Sequence, residues 1–364
     1  MNTRNILNRF KRCDWLVPVA ALLLLAIGSL SLYHNGSIEK EVFDKQVIFA
    51  VIGVILFCAL IFFNWRIFRD NSYLVLFFYL IALIAVFGLF IFAPDIRGVK
   101  NWYRIGKISI DPVELLKLAL VLLLAKYFSM RHVEMYRIRH IIASSIYVII
   151  PGILLLFQSN MGAVIAIFFL WIGILIFSGI KIRHFIILIL LGILIMVIAW
   201  GTVLKEYQRA RILSFVFPNF EPLGTGWSQL QAKIAIGSGG ITGLGFGHGP
   251  QTQLGYLTES HTDFIFAAIG EEAGILGILS VIVLYVLLIW RLIRVAVNSS
   301  SNFPRLAVSG IVLVLCFQFI VNAGMNLGLM PIVGISLPLI SYGGSNLLAT
   351  FASLGIIESI RADS

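Results

Sequence analysis

Apolar residues in this chain run on without interruption by charge, in stretches as long as a bilayer is thick. Such stretches occupy residues 15–33, 47–63, 73–93, 141–157, 161–180, 185–204, 306–325 and 337–357. Each approaches the length an α-helix needs to cross about 30 Å of hydrocarbon. Residues 113–128 and 264–290 are equally apolar overall but carry internal charges. The pattern predicts an all-α, polytopic membrane protein of about ten transmembrane helices, forming one membrane-embedded domain over residues 1–364. The longest break in hydrophobicity, residues 205–262, predicts a large loop. Its Trp, Phe, Ile and Leu content argues against disorder and for short amphipathic or re-entrant pieces.

Lys and Arg fix the expected orientation. They gather in alternate short loops, at Arg66 and Arg69, at Lys126, Arg131, Arg137 and Arg139, at Lys181 and Arg183, and at Arg291, Arg294 and Arg305. By the positive-inside rule these loops and both termini face the cytoplasm. Segments 34–46, 94–111 and 205–262 then face outward. Arg4, Arg9, Lys11 and Arg12 before the first apolar run imitate a secretory signal. The run is too long, lacks a small-x-small cleavage site and is followed by more spans, so it reads as a retained first helix.

Composition agrees with lipid as the main solvent, since 60% of residues are hydrophobic and only 12% charged. The net charge of +10 is scattered through short loops. That argues against nucleic acid as a partner and leaves lipid head groups and anionic substrates. Cys13, Cys58 and Cys316 show no paired spacing, so neither a disulfide framework nor a metal cluster is expected. No internal repeat is visible, against the habit of transporters built from duplicated halves.

The charges inside spans carry the chemistry. Glu114 and Lys117 lie three apart, so they share a helical face and can pair where lone charges would face lipid. Asp263 stands at the outer mouth of the following charged span. A carboxylate in that place is either a helix cap or a catalytic group, and the residues alone leave both open. Glu271 and Glu272 lie about 12 Å deeper, where a buried structural pair is the plainer reading. The glycine run from Gly237 to Gly249 lacks the Lys-Ser/Thr ending of a nucleotide loop and reads as close backbone packing at a re-entrant turn. Arg97, Lys100, Arg104, Lys107, Lys205, Arg209, Arg211 and Lys233 make the outward segments basic. They suit lipid head groups or a substrate diphosphate equally.

Several stretches together resemble the SEDS family (RodA, FtsW, SpoVE), its RodA-type peptidoglycan glycosyltransferases above all. They are Pro112-Val113-Glu114-Leu115-Leu116-Lys117; Gln229 to Gly240; Gln251 to Phe266, with His261-Thr262-Asp263 and then Glu271-Glu272; Gly324-Met325-Asn326; and Leu337 to Ser345. Two positions depart from the family pattern. Asn160 stands for the Asp of a Gln-Pro-Asp-Leu-Gly motif, and Thr258 stands for a Pro.

The resemblance implies polymerisation of lipid II into undecaprenyl-diphosphate-linked glycan at the outer face of the bacterial cytoplasmic membrane, with Asp263 as general base. Glu114 and Lys117 would support the site. Arg104, Arg209, Arg211, Lys233, His261 and Ser345 would contact substrate. A class B penicillin-binding transpeptidase is the implied partner, and elongation the implied role. A cofactor is not specified, with Mg²⁺ or Mn²⁺ as the candidates. A lipid II flippase and a non-catalytic scaffold are the alternatives.

Overall fold

The computed structural model describes residues 13–34, 40–94, 101–106, 108–130, 138–202, 204–217, 224 and 226–363. The basic residues Arg4, Arg9, Lys11, Arg12, Arg97, Lys100, Lys107, Arg131 and Arg137 lie outside them. The helices, in order, are α1 (Leu16–His34), α2 (Lys40–Ile61), the short α3 (Arg66–Asp70), α4 (Ser72–Phe92), α5 (Pro112–Ser129), α6 (Ile138–Phe157), α7 (Met161–Phe177), α8 (Ile182–Thr202), α9 (Glu206–Val216), α10 (Trp227–Ser238), α11 (Pro250–Gln253), α12 (Ile265–Asn298), α13 (Asn302–Asn326) and α14 (Gly344–Ala362). Seven of them are long and apolar enough to cross a bilayer by composition alone. Long helices α5, α7 and α14 complete a multi-pass membrane bundle, α5 and α14 carrying the charges that composition penalises.

Helix α5 is the hub, packed against α4, α7, α13 and α14 and buried on nearly every face. A helix whose middle, Leu118 to Ala125, is apolar on every side suits such a place. Helices α2 and α14 approach most closely where glycines meet rings: Gly53 lies against Phe351, Gly344 against Phe49, and Gly355 against the Phe57 backbone. Small residues at such seams let helices pack where lipid offers no hydrophobic drive. At the end carrying the chain termini, Asp14 pairs with Arg291 and Arg361, while the buried Glu358 accepts from Cys13 Sγ at 3.2 Å and the Asp14 N–H at 2.9 Å. These bonds tie the start of α1 to the ends of α12 and α14.

Three boundaries differ from the sequence reading. The last span starts at Gly344, not at 337, because Pro338 has no N–H to give a helix and Leu339 sits at φ 66°. The segment predicted outward at 94–111 contains a small antiparallel hairpin, β1 (Tyr103–Ile105) with β2 (Ile108–Ile110), pairing Tyr103 with Ile110. The charged span from residue 264 runs on to Asn298 and is broken at Gly274, which takes φ 66° and ψ −160°.

That break explains the glycine run. In an unbroken helix the carbonyls of Glu271 and Glu272 would accept from Ile275 and Leu276. Here they accept from Leu244 and Gly245, at 3.0 Å each, while Ile275 and Leu276 donate to Gly240 and Ile241 at 2.9 and 3.2 Å. The glycine loop is spliced into the helix ladder, so these four backbone groups at the break are not left bare in the bundle. Close approach makes glycine obligatory: a Cβ on Gly243, itself at φ +84°, would stand 2.0 Å from the Glu272 carbonyl oxygen. Gly243→Ala is therefore expected to cost at least about 2 kcal/mol, read as a clear fall in the melting temperature of the detergent-solubilised protein.

Candidate active site

Asp263 is the last residue but one before α12, and two buried asparagines of α13 hold its backbone. Asn322 and Asn326 donate to the Asp263 carbonyl at 3.0 and 2.9 Å. Asn326 also accepts from the Ala267 N–H at 3.0 Å, one of the first-turn donors that a helix leaves free. The capping duty is thus met from α13. Among the described residues the Asp263 carboxylate accepts no hydrogen bond, and Phe264, which caps α12, gives no side-chain bond either. Of the two roles left open by the sequence, a cap is not what this side chain does.

The carboxylate is partly buried and its pKa is pushed up to about 6. Burial is the main cause and the neighbouring Glu259 adds to it, while the charge of Arg211 opposes both. The turn carrying it, residues 259–263, has Glu259 at φ 52° and is pinned from the other side by the irregular segment before α14. Ser341 donates to the Thr262 carbonyl at 2.6 Å, and the Tyr342 N–H donates to the His261 carbonyl at 2.8 Å. The His261 and Tyr342 rings lie 6.0 Å apart, and His261 Nε2 is 3.9 Å from Glu259. Burial holds the imidazole below its ordinary value, with Glu259 pulling the other way. Burial thus favours the neutral imidazole, which can donate or accept.

The predicted cations divide. Arg211 on α9 lies over the Tyr207 ring at 5.7 Å, and it is the one whose charge reaches Asp263. Arg209 turns its guanidinium to the Gly201 carbonyl at the end of α8, at 3.3 Å, as a C-terminal cap. Lys205 donates to Ser159 at 2.9 Å. Lys233 on α10 is exposed and runs along Gly328 just past α13. Arg104 is exposed on β1. Ser345 accepts from the Asp111 N–H at 2.8 Å, joining the start of α14 to the start of α5.

Glu114 and Lys117 form the expected pair, 2.8 Å apart and largely buried. Asp263 is not among the residues that line the cleft beside this pair. That cleft, of about 30 Å³, lies between α5, α13 and α14 and is lined also by Gln318, Thr350 and Ser353. That volume holds roughly one or two waters, not a sugar. The two places nevertheless lie on one face of α13, where Gln318, Asn322 and Asn326 follow at intervals of four residues, about 6 Å each.

Both departures from the family pattern have local partners. Asn160 caps α7, accepting from the Ala163 N–H at 3.2 Å, as an Asp would. The Thr258 hydroxyl meets Ser228 of α10 at 2.7 Å, which anchors a position that a Pro would stiffen. Sequence reasoning missed Asn322 and the backbone role of Asn326; the signal that could have found them is their four-residue spacing with Gln318, a polar stripe in an apolar span. No group of three or more His, Cys, Asp or Glu residues able to hold a metal occurs among the described residues.

A family model for cell cycle proteins, FtsW/RodA/SpoVE, matches residues 13–364. The peptidoglycan glycosyltransferase MrdB of Escherichia coli K12 is 32% identical over 362 residues, covering 97% of this chain and 96% of that protein. Among solved structures, a chain of a peptidoglycan synthase complex that coordinates polymerization and crosslinking matches with a TM-score of 0.83 at 29% identity, covering 96% of this chain and 98% of the other. The rod shape determining protein RodA of Thermus thermophilus matches with a TM-score of 0.72 at 26% identity, over 96% and 97% of the two chains.

Proposed function

The chain belongs to the FtsW/RodA/SpoVE family of cell cycle proteins, and we propose that it is a peptidoglycan glycosyltransferase that polymerises lipid II at the outer face of the cytoplasmic membrane. The observation that carries this reading is a carboxylate with no structural duty. Asp263 is held by its backbone, left free at its side chain, and poised near pH 6, where a general base works best.

Asp263 takes the proton from the 4-hydroxyl of the acceptor sugar as that oxygen attacks the anomeric carbon of the donor. The bond from that carbon to the lipid diphosphate breaks on the opposite face, and the diphosphate leaves with the electron pair. The α donor link becomes a β link in one inverting displacement, after which Asp263 returns its proton to water. Arg211, with Lys233 and Arg104 further out, supplies positive charge for the departing diphosphate. A divalent cation would be held by the hard oxygens of the Asp263 and Glu259 carboxylates and would offset the charge of the departing diphosphate.

The polyprenyl tail must stay in the bilayer while its head group reacts. Helix α8 has no buried residues and touches the core through the half-buried Leu188, and it leads directly into α9, which carries Arg211. Lipid filling the space beside α8 gives the tail a sideways approach to that arginine. By the positive-inside rule both termini are cytoplasmic. The likeness to a rod shape determining protein favours elongation, and the likeness to a chain of a polymerization and crosslinking complex favours a class B penicillin-binding transpeptidase as partner.

Incubating the purified protein with lipid II and resolving the products by gel tests the reading. A ladder of glycan strands is expected. Movement of lipid II across vesicles without a ladder would transfer the function to transport, and neither activity would leave a scaffold. The rate should rise through about pH 6 and level off above it, because only the ionised carboxylate accepts a proton. Arg211→Ala should move that rise to higher pH, since its charge holds the Asp263 pKa down.

A further inference from the structure

Glu271 and Glu272 lie inside a membrane span yet are fully buried, and nothing in the proposed chemistry uses them. Both accept hydrogen bonds from neighbouring segments. Glu271 accepts from the Gln251 N–H at 2.7 Å, the Thr252 N–H at 3.0 Å and the Thr252 hydroxyl. The two amides are first-turn donors of α11, which that short helix cannot satisfy itself. Gly249 leaves the room: a Cβ there would stand 2.5 Å from the Glu271 carboxylate. Glu272 accepts from Ser31 of α1 at 2.6 Å and from the Gly247 N–H at 3.3 Å.

All three Glu271 donors belong to the segment that runs on into Asp263. The side chain therefore closes a loop between residues 252 and 271 that contains Glu259, His261 and Asp263. No helix or strand occupies the stretch between Gln253 and Ile265, so its shape depends on how its ends are held together with the bonds that Asn322, Asn326, Ser341 and Tyr342 make to residues 261–263. One end is the outer half of α12, made rigid at its foot by the glycine splice; the other is α11. Glu271 ties these two ends by its side chain.

We propose that Glu271 is a positioning residue for the reaction, setting where Asp263 stands by clamping α11 onto the outer half of α12. It lies eight residues from Asp263, about 12 Å along the axis, and does not touch the reacting atoms. The proposal rests on Asp263 being the base. A charged clamp suits the place because one carboxylate satisfies three donors at once, which a neutral amide cannot.

The test compares Glu271→Gln, Glu271→Asp and Thr252→Val with wild type in the full chain, reconstituted with lipid II. Displacing a catalytic group by about 1 Å can cost ~100-fold, so a partial loosening in Glu271→Gln is expected to lower kcat about tenfold with KM within about twofold. The acid limb of kcat should move to lower pH, because a loosened loop admits water around Asp263 and relieves the burial that raises its pKa. Glu271→Asp should recover part of the rate. Thr252→Val, which removes one donor and keeps the backbone, should shift rate and limb in the same direction by less.

Folded Glu271→Gln with wild-type kcat and acid limb overturns the proposal, as does a lower folded yield whose survivors are kinetically normal. If Glu271→Gln does not fold, wild-type kinetics in Thr252→Val overturn it. An active Asp263→Asn enzyme would instead remove the base reading itself, and the positioning role with it.

Discussion

Asp263→Asn is expected to abolish glycan polymerisation while the protein folds and melts as wild type does. Asn keeps the size of the side chain, and the bonds that fix this position are made to the backbone carbonyl by Asn322 and Asn326, which the substitution leaves alone. The helix start loses nothing either, since Asn326 and not Asp263 serves the Ala267 N–H. What Asn cannot do is take a proton. General base catalysis typically contributes about 10²–10⁴, so the loss in kcat should be at least about a hundredfold.

A carboxylate that holds a divalent cation would also suffer from Asn, because a neutral amide is a poorer ligand for a hard ion. Repeating the assay across a Mg²⁺ and Mn²⁺ titration separates the two roles. Recovery at high metal makes Asp263 a ligand, and wild-type rate at ordinary metal refutes both.

The fold was legible because lipid imposes a crude rule. Ten apolar stretches each became a helix, since a backbone in hydrocarbon has no other way to satisfy its polar groups. Where the reading slipped, a local feature outvoted hydropathy. Pro338 and Leu339 are as apolar as their neighbours, yet they precede the last helix, and Gly274 looks harmless within a long span until the glycine loop is seen bonded across it.

The site divided in the same way. Glu114, Lys117 and Asp263 announce themselves as charges in apolar surroundings. That the first two line a small cleft with Gln318, Thr350 and Ser353, and that Asp263 is not a cap, follow from side-chain directions that one-dimensional spacing does not carry. The deep Glu271 and Glu272 were legible as buried, but their partners Gln251, Thr252 and Gly247 lie some twenty residues upstream.

Lys117→Met should destabilise the protein more than any surface substitution, by about 3–5 kcal/mol, because it leaves Glu114 in the bundle without its partner. Replacing both partners, Glu114→Gln with Lys117→Met, should recover most of that loss, since no uncompensated charge then remains. The neighbouring Asp111, at the foot of α5, makes the effect depend on pH. Burial and the charge of Glu114 push its pKa up to about 7, and Lys117 partly restrains the rise. The folded protein thus keeps a proton that the unfolded chain gives up near pH 4, so this group's contribution to stability falls as pH climbs from about 4 to about 7. Without Lys117 the folded pKa rises further and the decline extends above pH 7. Melting curves of the single and double variants between pH 5 and pH 9 measure both effects. A Lys117→Met protein as stable as wild type, with no steeper fall toward alkaline pH, would mean that the pair is already open to water and that its burial between α5, α13 and α14 does not persist in the membrane.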